Sequence, residues 1–265
     1  MSKKIFIIAG PCLIESKSML FETAEVLSNT CKLLNIKLYL KGSYKKANRT
    51  SVNSFTGIGD IKALEYLAEA KEKFNVDVLT DIHLPEEAKI VAEYVDVLQI
   101  PAFLSRQTDL LVAAGRTGKI INIKKAQFMA PADMKKACDK VISTGNSKIW
   151  QTERGTFFGY NNLVVDFRSI VSMKSHGFPV VYDATHSLQQ PSIGEQSGGQ
   201  PQFIPPLARA AVATGLDGIF FETHPNPSEA KSDSATQIPL QNAEKFIKEI
   251  NSIHNHINQL GINNE

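Results

Sequence analysis

Apolar positions along this chain follow two rhythms that take turns. Short runs rich in β-branched and aromatic residues occupy Lys4–Ala9, Lys37–Leu40, Asp77–Thr80, Val97–Ile100, Lys119–Ile123, Lys148–Thr152, Pro179–Asp183 and Gly218–Glu222. Between them apolar residues recur at helical spacing over Ser18–Leu34, Asp60–Phe74, Glu86–Tyr94, Thr108–Thr117, Ala132–Thr144, Leu163–His176, Phe203–Thr214 and Leu240–Gln259. The first pattern predicts strands and the second helices. Helix starts are marked: Asp60 can cap after Gly57-Ile58-Gly59, Pro85 stands before Glu86-Glu87, and Pro131 precedes Asp133. Turn residues close several helices, as at Thr117-Gly118, Thr144-Gly145 and His176-Gly177.

Eight strand-helix units in succession predict an α/β fold, a single-domain (β/α)8 TIM barrel over residues 1–265. The strands are nearly continuous apolar runs, as strands covered on both faces should be. A doubly wound open sheet would favour a GxGxxG first turn, and Gly10-Pro11-Cys12 is not one. The Asn-rich tail after Gln259 is expected to fray.

Composition narrows the choice of ligand. A net charge of +2 on a chain with 21% charged residues argues against a general nucleic-acid partner. No apolar run approaches a membrane span, and the apolar stretch near the N-terminus breaks at Gly10-Pro11, so it reads as a strand rather than a leader. Three cysteines at distant positions, Cys12, Cys31 and Cys138, form no disulfide framework and fit a reducing cytoplasm. Cys31 and Cys138 sit in helical patterns as core thiols.

In a barrel the ligand site gathers where strands end, and here every such end is chemically equipped. In order they offer Cys12 and Glu15, then Lys41, then Asp81 and His83, then Gln99 and Arg106. Lys124 and Lys125, Glu153 and Arg154, Asp183 and His186, and finally Glu222, His224 and Asp233 follow. Beyond the second strand lies the cationic stretch LKGSYKKANRTS at 40–51. Lys41, Lys46, Arg49, Arg106, Lys124 and Arg154 converging on one mouth would repel one another unless anions were bound there. About a third of these are expected to pair with Asp81, Glu153 or Asp183 instead, and Lys45 is expected simply to be solvated. Cys12, His186, Glu222 and Asp233 come from strands one, seven and eight, neighbours once the barrel closes. Their S, N and O donors suit a borderline divalent transition metal. A buried thiol beside an ordinary histidine accounts for the same letters, so both readings stay open on these grounds.

Longer motifs carry a resemblance. GPCLIES at 10–16, KANRTS at 46–51, TDIH at 80–83, LQIPAFLSRQTDL at 98–110, NIKKAQF at 122–128, ERGTFFGYNNLVVD at 153–166, DATHSLQ at 183–189 and ETHPNPSEAKSD at 222–233 resemble the 3-deoxy-D-manno-octulosonate 8-phosphate synthases over essentially the whole chain. That resemblance implies condensation of phosphoenolpyruvate with D-arabinose 5-phosphate and loss of phosphate, a step towards lipopolysaccharide. It implies that Lys46, Lys124 and Arg154 hold phosphoenolpyruvate in a pocket lined by Gln99 and Ala102. Lys41 and Asn48 would meet the sugar, and Arg49 and Thr50 its phosphate, joined by Arg106 from a neighbouring subunit of a homotetramer. Cys12 places the chain with the metal-dependent members, whose ligands fall on Cys12, His186, Glu222 and Asp233 around zinc, iron, manganese or a similar ion. By position, Asp81 and His83 are candidates for a proton relay. Thr50 replaces a common Ser, and Gln200-Pro201-Gln202 stands where members commonly carry an arginine, which puts one contact near the lid in doubt.

Three other readings share these residues. A related synthase makes a seven-carbon sugar acid from erythrose 4-phosphate, but its second-strand motif looks like KPRT rather than KANRT. A Schiff-base aldolase would use Lys41 or Lys124. A sugar-phosphate sensor would keep the barrel without the chemistry, against which the reactive residues at every strand end argue.

Overall fold

The computed structural model describes residues 4–47, 53–157, 162–190 and 198–261. Eight parallel strands pair in chain order: β1 (Phe6–Gly10), β2 (Lys37–Lys41), β3 (Asp77–Asp81), β4 (Val97–Ile100), β5 (Ile120–Lys124), β6 (Ile149–Glu153), β7 (Val180–Asp183) and β8 (Gly218–His224). β8 pairs back onto β1, Phe6 opposite Gly218 and Gly10 opposite Glu222, which closes the sheet into the expected barrel. Eight helices follow the strands: α1 (Lys17–Leu33), α2 (Asp60–Phe74), α3 (Glu87–Val91), α4 (Thr108–Arg116), α5 (Met134–Ile142), α6 (Arg168–Lys174), α7 (Ile204–Ala213) and α8 (Leu240–Gln259).

Side-chain parity organises the interior. Along a strand alternate residues point to opposite faces. Ile7, Ala9, Leu38, Leu40, Val78, Leu98, Ile121 and Ile123 join the large core between sheet and helices. Ile8, Leu79, Val97, Trp150, Val181 and Phe220, with Phe6, Tyr39 and Ile120 packed against them, form a separate core inside the barrel. Two residues further along, the same inward parity yields Lys41, Asp81, Gln99, Asn122, Thr152, Asp183 and Glu222. The apolar plug thus becomes the floor of a polar mouth. Gly10 lets β1 approach β2 there, since a Cβ at this position would lie 2.0 Å from the Lys41 carbonyl oxygen.

Several local expectations need correction. Asp60 is the first residue of α2 rather than its cap; Gly59 is the cap and makes no side-chain cap hydrogen bond, while the Asp60 carboxylate lies 3.2 Å from Lys45 Nζ. The helix expected over Glu86–Tyr94 is only Glu87–Val91, because Glu93 and Tyr94 bond three residues back, to Ile90 and Val91, and tighten the chain into turns. The helix expected from Leu163 starts at Arg168. Leu163–Val164 instead pairs antiparallel with Thr156–Phe157, as β-branched residues favour, and the Asp166 carboxylate accepts the Arg168 N–H at 3.0 Å where the helix begins. Among the described residues no helix is long and apolar enough to cross a membrane.

Candidate active site

At the mouth, the four residues singled out for a metal come together. Ligand atoms of Cys12, Glu222 and Asp233 all lie within 4.8 Å of one another. His186 Nε2 lies 3.5 Å from Glu222 Oε1 and 3.9 Å from Asp233 Oδ2. Cys12 follows the β1 turn, Glu222 points inward from β8, and His186 opens the short 3-10 turn after β7. Asp233 sits on the following loop at φ 49°, a left-handed conformation that a non-glycine residue adopts at a cost. Cys12 Sγ donates to Ser232 Oγ (3.1 Å) and to Asp233 Oδ2 (3.2 Å). The Gln237 amide accepts the Cys12 N–H and donates to the Ser232 carbonyl, tying the two loops together.

This cluster fits a cation. Glu222 Oε2 is buried with no hydrogen-bond partner among the described residues. Burial pushes the Cys12 thiol well above its ordinary value, and the Asp233 and Glu222 carboxylates push it further. Burial also opposes ionisation of Glu222, but His186, Lys41 and Lys46 outweigh it and hold that carboxyl down at about 2. Converging donors of S, N and O type, one with a free lone pair, form a set that a divalent ion would satisfy.

Two of the mouth's lysines are committed to carboxylates. Lys41 Nζ donates to Glu222 Oε1 (2.6 Å), Cys12 O (2.8 Å) and Pro11 O (3.3 Å). All three of its protons are therefore engaged, and a sugar contact would need one of them exchanged. Lys124 Nζ donates to Asp183 Oδ2 at 2.6 Å and lies 3.7 Å from the Phe220 ring centroid. Burial lowers its pKa, with Asp183 opposing. Asp183, fully buried, also accepts N–H groups from Thr185 and His186 through Oδ1, and its Oδ2 lies 2.8 Å from His186 Nδ1. Burial works against its charge, but His186 and Lys124 hold it well below the usual carboxylate range.

Other cations retain capacity for a ligand. Among the described residues Lys46 has Ser43 Oγ at 3.0 Å as its side-chain partner; burial opposes its charge, but the Cys12, Glu222, Asp81 and Asp233 side chains raise its pKa. Arg154 donates through Nη2 to the His186 carbonyl (3.2 Å) and to Gln189 Oε1 (3.0 Å), while its buried Nη1 has no partner among the described residues. Gln99 Oε1 accepts from Asn122 Nδ2 at 3.2 Å, and Asn122 in turn accepts from Thr152. Ala102 is buried in the 3-10 turn after β4. Asp81 Oδ2 meets His83 Nε2 at 3.0 Å. Burial disfavours both charges, yet the contact with Asp81 and the nearby Glu87 raise His83 to about 9, while Asp81 is held low.

Some residues lie elsewhere. Arg106 is exposed, its carbonyl accepting from Lys140 Nζ at 2.7 Å. Asn48, Arg49 and Thr50 lie outside the described residues. Lys125 and Glu153, adjacent in sequence to Lys124 and Arg154, have the opposite parity and pair with each other at 3.4 Å, fully buried outside the barrel wall. Glu15 caps the Lys231 N–H and His224 accepts the Asn226 N–H, so both serve loops. Lys45 is not a solvated lysine: its Nζ lies 2.5 Å from Glu87 Oε1 and its side chain is 25% exposed. Phe220 was missed as a site residue because it reads as one more core aromatic. Its inward parity, two residues before Glu222, is the signal that marks it.

Residues 1–259 match the model of the DAHP synthetase I family. A protein of Koribacter versatilis (strain Ellin345) is 54% identical over 242 residues, 90% of this chain and 87% of its own length. One from Nitratidesulfovibrio vulgaris (strain DP4) is 50% identical over 94% of this chain and 91% of its own. A third, from Francisella tularensis subsp. holarctica (strain LVS), is 52% identical over 92% and 90%. All three are named 2-dehydro-3-deoxyphosphooctonate aldolase, the eight-carbon synthase under another name. A barrel whose inward-pointing strand ends build this mouth, matched along nearly its whole length, places the chain in the DAHP synthetase I family and, within it, among the 2-dehydro-3-deoxyphosphooctonate aldolases.

Proposed function

We propose that this enzyme condenses phosphoenolpyruvate with D-arabinose 5-phosphate and water, giving 3-deoxy-D-manno-octulosonate 8-phosphate and inorganic phosphate. The observation that carries this reading is the pair of under-committed cations, Lys46 and the free Nη1 of Arg154, beside Lys124. These three offset the charge of phosphoenolpyruvate and, with Gln99 and Ala102, define its pocket. Lys41, Asn48, Arg49 and Thr50 take the sugar phosphate, and Arg106 completes that end from a neighbouring copy in a homotetramer. Exposed Phe103, three residues from Arg106, supplies apolar area for such a contact.

Cys12, His186, Glu222 and Asp233 would hold a divalent transition metal such as zinc, iron or manganese, which when bound supplies Lewis acidity. The chain's own residues account for the rest. The enol carbon is a weak nucleophile, so pocket contacts must hold it against the aldehyde with water excluded. His83, whose charged form Asp81 favours, would give a proton to the aldehyde oxygen as the C–C bond forms. Water adds at C2, and the resulting hemiketal loses phosphate by C–O cleavage. Three unpaired cysteines support a cytoplasmic setting.

The test is phosphate release with each sugar, with and without a strong chelator. Release should require phosphoenolpyruvate and arabinose 5-phosphate together, stop with chelator and return with a divalent metal. Turnover with erythrose 4-phosphate alone would overturn the substrate assignment. Chelator-resistant activity in metal-free protein would overturn the metal while leaving the reaction. The names of the relatives do not favour the seven-carbon product.

A further inference from the structure

One ionic cluster at the mouth joins the β2 and β3 loops, both of which carry candidate site residues, to the start of α3. Glu87 stands at the start of α3. Its Oε2 accepts the His83 N–H at 2.7 Å and the Leu84 N–H at 3.3 Å, and lies 3.5 Å from His83 Nδ1. Its Oε1 lies 2.5 Å from Lys45 Nζ, which also reaches Asp60 at the start of α2. One carboxylate therefore grips the β3 loop by its backbone, sets its charge beside the His83 ring, and holds the β2 loop by Lys45. The Tyr44 ring, 1% exposed, backs the cluster: Lys45 Nζ is 5.3 Å from its centroid and the His83 ring 6.2 Å.

We propose that Lys45 and Glu87 form a clasp that positions Lys46 and His83 for the condensation, without either residue touching substrate. The proposal rests on the functional reading above. Lys46 follows Lys45 directly, and its N–H bonds to the Thr56 carbonyl at 2.9 Å. Lys45 and that backbone bond together pin the chain where Lys46 leaves it, and the Lys46 ammonium reaches Ser43 Oγ at 3.0 Å. On the β3 side, His83 lies between two carboxylates, Asp81 through Nε2 and Glu87 through Nδ1. Asp81 orients the ring through its hydrogen bond to Nε2, and the second carboxylate 3.5 Å from Nδ1 favours the doubly protonated form. Glu87 thus keeps His83 a proton donor, while Lys45 keeps Glu87 ionised and pulls the β2 loop onto it. Burial opposes the Glu87 charge, but His83 and Lys45 hold its carboxyl well below the usual range, in keeping with that division.

The experiment uses the full-length metal-loaded enzyme with Lys45→Met, Glu87→Gln, the double variant and Lys45→Arg. Steady-state constants are measured alongside the titration of His83 by NMR of labelled histidine, assigned with His83→Gln. Each single variant is expected to raise KM for phosphoenolpyruvate about fivefold through the loosened β2 loop. The double variant should be no worse than Glu87→Gln, since both break one contact, and Lys45→Arg should restore the wild-type KM. Glu87→Gln alone should lower the His83 midpoint by about one unit or more and cut kcat, whereas Lys45→Met should not lower it. Single variants within twofold of wild type in KM, or effects that multiply in the double variant, would overturn the clasp, even if thermal stability fell. Should the wild-type enzyme release no phosphate from the two substrates, the functional reading fails on its own. The His83 midpoint then decides the clasp, lowered in Glu87→Gln if the contact acts as described and unmoved if it does not.

Discussion

Asp183→Asn changes a single atom type at the centre of the mouth, and its consequences divide cleanly between the two carboxylate oxygens. Oδ1 accepts from the Thr185 N–H (3.2 Å), the Thr185 hydroxyl (3.2 Å) and the His186 N–H (2.9 Å), and an asparagine oxygen keeps all three. Oδ2 lies 2.6 Å from Lys124 Nζ and 2.8 Å from His186 Nδ1. An NH2 group there faces two donors and leaves a buried ammonium unpaired. Breaking one partner of a buried pair costs about 3–5 kcal/mol. The lower end applies, about 3 kcal/mol, because the retained Oδ1 bonds preserve the turn and burial already helps Lys124 shed its proton. His186 also loses the acceptor that keeps its proton on Nδ1 and leaves Nε2 facing Glu222, so metal affinity should drop about 10–100-fold. Urea unfolding at neutral pH measures the first effect and competition with a chelator the second. Because Asp183 has a depressed pKa in the folded state, its contribution is fully present above the ordinary value of 3.8 and is lost as pH falls below it. The stability gap between wild type and variant should therefore close in that acid range. A gap under about 1 kcal/mol at neutral pH with unchanged metal affinity would refute the reasoning.

Two further outcomes follow from the same geometry. His83 is raised from 6.5 to about 9, so its contribution is fully present below pH 6.5 and is lost as pH climbs through 9. His83→Gln should flatten that alkaline decline in stability, worth about 3 kcal/mol at most, and an unchanged pH-stability curve would contradict the Asp81–His83–Glu87 arrangement. Gly10→Ala drives a Cβ into the Lys41 carbonyl, 2.0 Å away, with backbone rather than a flexible side chain opposing it. It should destabilise by about 3 kcal/mol or more and weaken metal binding by moving Lys41 off Cys12 and Glu222. Wild-type stability in urea would show that β1 and β2 are less closely held than described.

Much of this molecule was legible from the order of its residues because strand parity and strand ends are local properties. A residue two places beyond an inward apolar one must also point inward, so Phe220 announces Glu222, Val181 announces Asp183, and Tyr39 announces Lys41. Closure in chain order then made Cys12, His186, Glu222 and Asp233 neighbours before any coordinates were known. Pairing was not legible, because it depends on distances across the barrel rather than along the chain. Lys41 belongs to Glu222 and the Cys12 loop, and Lys124 to Asp183. Lys125 and Glu153 belong to each other behind the wall. Lys45 shows the limit most plainly: its lettering is that of any exposed lysine, and only the approach of α3 to the β2 loop supplies the Glu87 carboxylate that turns it into an anchor. Sequence by itself determined which residues stand at the strand ends and, along each strand, which of them share a face, since the backbone repeats every two residues. Which charges neutralise one another, and which remain for substrate, only the tertiary structure decided, because electrostatic energy falls with separation in space and takes no account of separation along the chain.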